Sequence, residues 1–541
     1  MNSSRWRRRV AVAVAIGVIS GCAASNESTS GSFAGSPYPG GTGGAAAGGA
    51  GGGTSGAAGT GGSLPPEQEV ESAYESPVAT GRYVWIANPA SGRVAYVDAV
   101  TLEVKTTEAG NGPDVLAPVP DANDDVAIVI NSLSSSATIL RADKSGAIDT
   151  KELPIAAGSN SWAISKNGAW AIAWTDARNV SAANDAQGFQ DITVVSTAKG
   201  QESATRLSVG YRPVAVSIAS DESHAYAVTQ DGVSVVDLQA AGGPAATRLV
   251  PISADPLEDP GTRDVAITPD GKFALVRRDG SSHLSVVKLD DGQLIDVALP
   301  GSVTDMDVSP DGTHAVAVIR DTGQAAVLPI PGIVTEPTTF DTVSVTDAVV
   351  GSVAMAAGAE TALLYSNASD QERVVQLDYS ASPPATQTLK LHAPVLAVFV
   401  ASTGANAIVL HNPLPGTPDG SAGAFSVMNI APLLPAKIVG TKAPPSAVAL
   451  TPAGDFAVVA ERDDTTKVYG AYLIKSANQQ VDRYELASPP IAVGTLTAAR
   501  RAYVAQKHPE GRLTFIDLDS GQARTLTGFE LGARVVDGTS N

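Results

Sequence analysis

The chain has 541 residues, of which 43% are hydrophobic and only 5% aromatic, and its formal net charge is −19 at pH 7. This apolar content can fill a large core, and the acidic balance disfavours nucleic acid as a partner. Because Cys22 is the single cysteine, no intramolecular disulfide can form.

Residues 1–21 predict an export signal. Four arginines and no acidic residue accompany an apolar run from Val10 to Ile19, which is too short to cross a bilayer stably. The sequence Ile19-Ser20-Gly21-Cys22 resembles the lipobox of bacterial lipoproteins. This resemblance implies that Cys22 is lipidated and becomes the first mature residue. With Ala23 next, it favours an outer-membrane lipoprotein that faces the periplasm or the cell surface.

Residues 22–66 predict a flexible tether behind that anchor. The stretch from Gly40 to Gly62 has thirteen glycines in 23 positions, which leaves almost nothing to bury. A random coil of about 42 residues reaches roughly 35 Å. Without the signal, 32 basic residues stand against 55 acidic ones. Such a charge is repelled by anionic lipid, so the anchor is the expected membrane contact.

Residues 67–541 predict one β-propeller domain. Nine alanines recur at intervals of 41 to 54 residues, each behind a turn-like stretch such as Thr268-Pro269-Asp270-Gly271: Ala127, Ala171, Ala225, Ala274, Ala315, Ala362, Ala407, Ala457 and Ala502. Repeats of about 40–50 residues are typical of stacked supersecondary units. Short apolar runs such as Val233 to Leu238 follow, which predicts all-β, four-stranded blades. The small alanine is expected where strands of neighbouring blades converge.

Three fragments resemble the repeat of YVTN-type and lactonase-like β-propellers: residues 91–98 (SGRVAYVD), 265–272 (VAITPDGK) and 511–517 (GRLTFID). The resemblance covers about residues 82 to 536. It implies the fold more specifically than a function, because this superfamily includes lactonases, cell-surface proteins and scaffolds. Some repeats, such as Lys166-Asn167-Gly168, depart from the Pro-Asp-Gly turn.

The repeats predict nine or ten blades. The first unit begins at Tyr83 without a preceding apolar strand, so we expect residues 533–536 (ARVV) to supply its inner strand. The N- and C-terminal strands would then pair and close a single ring. Two smaller propellers are the alternative, although no linker-like stretch interrupts residues 82–536.

The sequence assigns no catalytic, cofactor-binding or metal-binding residue. None of the six histidines has metal-ligand spacing, and no G-x-S-x-G nucleophile elbow occurs. A non-catalytic, monomeric binding or scaffold module for a protein or glycan is therefore favoured. A periplasmic lactonase-like hydrolase is the alternative, which rests on the resemblance alone.

Strand alternation places the second-to-third-strand loops and the blade-to-blade connections on one side of a propeller. The most irregular of these run from Thr175 to Asp191, from Pro251 to Arg263 and from His411 to Gly423. Variable loops on a repeated scaffold commonly carry binding residues. We therefore predict ligand contacts at Asp176, Arg178, Phe189, Asp259, Arg263, His411 and Asp419.

Overall fold

The computed structural model describes residues 29–32, 77–176, 180, 189–255, 258–356, 360–412, 421–430, 432–508, 510–528 and 535–538. In this part of the chain almost all regular structure is β. The helices are α1 (Gly332–Thr335) and two 3-10 turns, Pro260–Thr262 and Arg320–Thr322. None of them has the length and apolar character needed to cross a membrane.

Ten antiparallel sheets, each built from four consecutive strands, form the blades of one propeller, which confirms the predicted fold. Strand β1 (Thr29–Ser32) comes first in the chain, within the segment predicted as a tether. It pairs with the inner edge of the ninth blade.

The strands of the first five blades follow in chain order: β2 (Val78–Ala79), β3 (Tyr83–Asn88), β4 (Arg93–Asp98) and β5 (Val104–Glu108); β6 (Pro113–Val119), β7 (Asp125–Asn131), β8 (Ser136–Ala142) and β9 (Ile148–Pro154); β10 (Ser161–Ile164), β11 (Trp170–Trp174), β12 (Asp191–Ser196) and β13 (Ser203–Ser208); β14 (Ala215–Ile218), β15 (His224–Thr229), β16 (Gly232–Asp237) and β17 (Ala245–Val250); β18 (Arg263–Ile267), β19 (Phe273–Arg278), β20 (His283–Lys288) and β21 (Leu294–Ala298).

The second five blades continue the pattern: β22 (Asp305–Val308), β23 (His314–Ile319), β24 (Gln324–Pro329) and β25 (Asp341–Ser344); β26 (Ser352–Met355), β27 (Thr361–Tyr365), β28 (Arg373–Asp378) and β29 (Ala385–Lys390); β30 (Val395–Val400), β31 (Asn406–His411), β32 (Gly423–Asn429) and β33 (Lys437–Thr441); β34 (Pro445–Leu450), β35 (Phe456–Asp463), β36 (Val468–Lys475) and β37 (Gln480–Glu485); β38 (Pro490–Leu496), β39 (Arg501–Gln506), β40 (Arg512–Asp517) and β41 (Ala523–Thr527). Strand β42 (Val535–Gly538) ends the described chain.

The core is divided among the blade interfaces. Ten clusters of buried apolar side chains are present in the described residues, and each joins two neighbouring blades. One cluster joins the tenth blade to the first, with Leu513 and Phe515 against Val84 and Val97. The ring is therefore closed by the same packing that joins every other pair of blades.

The recurring alanine has one structural position. Each of the nine lies near the start of a blade's second strand, as its second residue in eight blades and as its third in the case of Ala127, is at most 1% exposed, and packs in the cluster shared with the preceding blade. In the first blade Val84 holds this position. The prediction that the small side chain serves close blade packing is confirmed. It does so on the second strand, one strand outward from the inner one.

The Pro-Asp-Gly turn behaves as the sequence predicts. Gly271 has φ +70° and donates its N–H to the Thr268 carbonyl oxygen at 2.8 Å, which closes the turn between β18 and β19. A Cβ atom at Gly271 would collide with the ring of Tyr226 in the preceding blade. This glycine therefore provides both the left-handed conformation and the close approach of two blades.

The predicted pairing of the chain ends is wrong. The inner strand of the first blade is β2, whose two residues pair with β3, whereas β42 adds a fifth strand to the outer edge of the tenth blade. A strand of two residues is too short to show in an apolar pattern. The Tyr503 hydroxyl, on β39, instead ties the tenth blade to the start of the first by donating to the Pro77 carbonyl oxygen at 2.8 Å.

The outer strands are polar. Strand β9, for example, exposes Asp149, Thr150, Lys151 and Glu152 in succession. Every outer strand has at least one charged residue, among them Lys105, Lys151, Arg206, Arg248, Asp296, Asp341, Lys390, Lys437, Arg483 and Arg524. Charged side chains on edge strands discourage pairing with other chains.

Ala315→Leu is expected to lower the free energy of unfolding by roughly 1–3 kcal/mol, because the added atoms overfill the interface between the fifth and sixth blades. Ala298→Leu, on the exposed outer strand of the fifth blade, is the control and should change stability little. Urea unfolding measures both. Equal losses for the two variants would contradict the role assigned to the repeated alanine.

Candidate functional site

Two regions could bind a ligand: the loop face and the wall of the central channel. The loop face consists of the loops between second and third strands and of the blade-to-blade connections, which emerge together because neighbouring strands are antiparallel. Of the predicted contact residues that the structure describes, Asp176, Phe189 and Asp259 lie in these loops, whereas Arg263 begins β18 and His411 ends β31. Arg178 and Asp419 lie outside the described residues.

Phe189 packs under the connection between the third and fourth blades. It is 4% exposed, its ring lies edge-on to that of Tyr211 at 6.4 Å, and the Arg212 guanidinium stacks over it at 5.1 Å. Asp176, in the same blade, is also buried, and its backbone N–H donates to the Asn160 side-chain oxygen at 2.7 Å. Phe189 therefore supports exposed neighbours and contributes little surface of its own.

Asp259 and Arg263 organise the connection between the fourth and fifth blades. Asp259 is exposed and caps the 3-10 turn by accepting from the Gly261 N–H at 2.9 Å. Arg263 is only 5% exposed, pairs with Glu258 at 2.8 Å and donates to the Gln230 carbonyl oxygen at 2.7 Å. Of the two, Asp259 alone presents its side chain to solvent.

The sequence context of His411 suggested a loop, but the structure places this residue in a strand. It is the last residue of β31 and is fully buried. Nδ1 contacts the Pro394 carbonyl oxygen at 3.1 Å and Nε2 contacts the Ser426 hydroxyl at 2.7 Å. Burial lowers the pKa of this imidazole to about 4. His411 is thus neutral in the folded protein at pH 7 and has no access to a ligand on the loop face.

His411 belongs to a repeated structural device that the sequence analysis missed. A Ser or Thr in the third strand faces the preceding blade-to-blade connection. In three blades its oxygen accepts a backbone N–H of that connection directly: Thr138 from Gly110, Thr193 from Ala156 and Ser234 from Gly210. In three others it meets a longer side chain at the end of the second strand: Ser285 with Arg278, Ser426 with His411 and Thr514 with Gln506. The sequence signal is a Ser or Thr within a third strand's apolar run.

In the ninth blade Glu461, on the second strand, holds the connection instead. It is fully buried and accepts from the Lys442 and Ala443 N–H groups at 2.8 and 3.1 Å, and from the Tyr472 hydroxyl at 2.8 Å. Arg483 completes the set, with an N–O distance of 2.6 Å. Every oxygen of this buried carboxylate is engaged, so the group is structural.

Tyr211 stands out on the loop face because it is exposed yet held on a fixed backbone. It is 37% exposed, its N–H donates to an Asp231 carboxylate oxygen at 2.6 Å, and its carbonyl oxygen accepts from the Gln230 N–H at 2.8 Å. The next residue, Arg212, has φ +52° and donates its N–H to the Phe189 carbonyl oxygen at 2.8 Å. We call Phe189, Tyr211 and Arg212 the Tyr211 platform.

The channel wall contains a cavity of ≈ 190 Å³ along the inner strands of the third to sixth blades. Aromatic side chains of the third and fourth blades line one part, and carboxylates of the fifth and sixth line the other: Trp162, Trp174 and Tyr226, then Asp264, Asp305 and Asp307. Asp264 forms an ion pair with Arg277, which also lines the cavity.

Asp305 and Asp307 lie two residues apart on β22 and therefore face the same side. Their carboxylates accept the Val353 and Met355 N–H groups, at 2.8 and 3.4 Å, from the inner strand of the seventh blade. Burial, with the negative charge of Asp305 as a second cause, raises the pKa of Asp307 to about 7. Among the described residues, no group of three His, Cys, Asp or Glu side chains is arranged to hold a metal ion.

Comparison with known proteins adds support for the fold alone. No family model matches the chain, and no curated protein matches it. A solved structure described as a eukaryotic initiation factor is similar, with 13% identity, coverage of 75% of this chain and 96% of that one, and a TM-score of 0.52. A dihydro-heme d1 dehydrogenase, NirN, in complex with DHE shares 14% identity over 68% of this chain and 75% of its own, with a TM-score of 0.40. Hydrazine synthase of Kuenenia stuttgartiensis shares 14% identity over 68% and 95%, with a TM-score of 0.31.

His411 should make the protein less stable in mild acid. The unfolded chain binds a proton at this imidazole below a pKa of about 6.5, whereas the folded protein does so only below about 4. The free energy of unfolding therefore falls as the pH drops from 6.5 toward 4. In His411→Gln this part of the fall should disappear, as measured by urea unfolding at several pH values.

His283→Gln removes an exposed histidine and is the control for the loss of one imidazole from the protein. The wild-type slope between pH 6.5 and 4 should persist in that variant. An unchanged slope in His411→Gln would contradict the neutral, buried state of His411.

Proposed function

We propose that this protein is an envelope-anchored, non-catalytic β-propeller lipoprotein that binds a protein or glycan partner through its loop face. The observation that carries the proposal is the Tyr211 platform, an exposed aromatic ring on a backbone fixed from both neighbouring blades. The anchor and tether rest on the sequence of residues 1–66.

The platform has the chemistry of a recognition surface. A tyrosine ring offers a large apolar area and a hydroxyl at a low cost in side-chain entropy, and Tyr and Arg are enriched among the residues that dominate binding energies. Because Asp231, Gln230 and Phe189 already hold the backbone of residues 211 and 212, binding would order little further chain. Exposed Asp259 lies on the next connection around the ring and is a candidate rim contact.

The expected arrangement at the membrane follows from the sequence. Acyl chains on Cys22 would hold the protein in the outer membrane. Because β1 (Thr29–Ser32) pairs with the ninth blade, the chain from Cys22 to the propeller would span at most roughly 25 Å. The propeller would face the periplasm or the cell surface as a monomer.

A lactonase-like hydrolase is the second candidate. One observation favours it: the pKa of Asp307 near 7, beside Asp305 in a cavity, suits a general base at neutral pH. The cavity has no histidine among its lining residues and its third carboxylate is paired with Arg277. Hydrolysis of a lactone panel that Asp307→Asn abolishes would favour the enzyme over the binding module.

Cys22→Ser is expected to release the protein from the membrane, because it removes the only thiol that could be acylated. Detergent phase partitioning of cells that express each form measures this. Ser25→Ala, three residues further on, should stay in the detergent phase. A Cys22→Ser protein that still partitions wholly with detergent would refute the anchor.

A photo-crosslinking residue placed at position 211 should give specific adducts in intact envelopes, because the platform contacts the partner there. The same residue at position 249 is the control, since Leu249 is 46% exposed on an outer strand. The adducts are compared by gel shift and mass spectrometry. Identical adducts at both positions, or none at 211, would exclude the platform as the binding surface.

A further inference from the structure

Strand β1 (Thr29–Ser32) runs along the central channel. It pairs with the inner edge of β34 in the ninth blade and also lies against β38, the inner strand of the tenth. The inner strand of every blade borders the channel of a propeller. A segment that precedes the propeller domain in the sequence therefore forms part of the channel wall.

The channel wall beside β1 is more closed than the wall elsewhere. Residues 447–450 of β34 are at most 3% exposed, and residues 492–496 of β38 are all buried. By contrast, all five residues of β18, the inner strand of the fifth blade, are half-buried. Strand β1 therefore occupies one particular stretch of the wall, where the inner strands of the ninth and tenth blades meet.

The register of the pairing gives β1 a direction through the channel. Thr29 lies opposite Leu450, and Ser32 lies opposite Ala447. Strand β34 starts from a blade-to-blade connection on the loop face and ends at the turn formed by residues 451–454 on the other face, which we call the turn face. Because β1 is antiparallel to β34, the chain enters the channel at the turn face and leaves it at the loop face.

The start of the first blade agrees with this direction. Residue 33 follows β1 at the loop face. Strand β2 (Val78–Ala79) is an inner strand, and inner strands begin at the loop face and end at a turn. The chain can thus connect β1 to β2 without passing through the ring a second time.

The direction of β1 determines which face is nearer to the proposed lipid anchor. Cys22 precedes Thr29 by seven residues, so the two lie at most roughly 25 Å apart. If β1 were not paired, the separation of Cys22 from Val78 would be a chain of about 56 residues with a reach of roughly 40 Å, which could present either face to the membrane.

We propose that β1 orients the propeller, with the turn face toward the lipid and the loop face, which carries the Tyr211 platform, away from it. This inference rests on the lipid anchor of the proposed function. The backbone pairing in the channel converts a long connection with no preferred direction into a short one that enters at one face. The loop face is then open to a partner that approaches from the aqueous side.

Fluorescence energy transfer to an acceptor-labelled lipid tests the orientation. The full-length lipidated protein is reconstituted in phosphatidylcholine liposomes with a donor dye on one introduced cysteine, either Ala477→Cys on the turn face or Thr465→Cys on the loop face. Both positions are exposed, and they lie at opposite ends of β36. Its eight residues span about 26 Å. We expect transfer from position 477 to be at least twofold more efficient than transfer from position 465.

The same measurement in a double proline variant shows whether β1 is the cause. Successive N–H groups of a strand point to opposite sides, so the Ser30→Pro, Gly31→Pro pair removes one that faces β34. The difference between positions 477 and 465 should then disappear, whereas Gly51→Pro with Gly52→Pro, beyond β1, should preserve it. Equal transfer in the wild type, a reversed order, or a difference that persists in the Ser30→Pro, Gly31→Pro variant would overturn the proposal. Protein that fails to float with the liposomes would instead refute the anchor, and with it the orientation.

Disulfide cross-linking tests the channel path without the anchor. In full-length Cys22→Ser protein, mild oxidation should link Ser30→Cys to Ala449→Cys, or Gly31→Cys to Val448→Cys, since both pairs are opposite each other in the ladder. Ser30→Cys should not link to Ala266→Cys on β18, in the fifth blade. Thermal melting shows that each variant is folded, and mass spectrometry identifies the linked peptides. The absence of both ninth-blade links, or an equal yield with the fifth blade, would overturn the proposal even if the lipid anchor is present.

Discussion

Ring closure is the constraint on which the rest of this structure depends. Ten blades close only if each interface turns the chain by nearly the same angle, so the packing at every interface must have nearly the same thickness. The repeated alanine meets this requirement, since it lies at the same place in nine interfaces and is at most 1% exposed in each. Val84 fills the position at the closing interface, where Tyr503 also reaches across to Pro77.

The same regularity fixes the loop face. Besides their backbone hydrogen bonds, several blade-to-blade connections are held by buried Ser and Thr oxygens of the following blade. Where no Ser or Thr oxygen reaches the connection directly, the side chain of His411 or Arg278 forms the hydrogen bond to its backbone carbonyl oxygen. A polar group satisfied in this way stabilises one arrangement of the loops. Exposed side chains such as Tyr211 therefore project from a defined surface.

Features that repeat could be predicted from the sequence, and features that occur once could not. The alanine period and the Pro-Asp-Gly turns predicted the four-stranded blades, because each repeat samples the same local geometry. Strand β2 escaped detection since two residues, Val78 and Ala79, form no periodic pattern. His411 was placed in a loop because its burial depends on Ser426 and Pro394, which are distant in sequence. The cavity escaped because it joins residues of several blades.

The polar outer strands have a consequence for crowding. Proteins confined to a membrane surface meet sideways far more often than the same number in solution, and every blade of this ring presents an open backbone edge. Here Lys151 and Arg206, with their counterparts on the other outer strands, keep those edges hydrated and charged. Under the proposed anchoring, neighbouring molecules could be densely arrayed and still diffuse past one another as separate particles.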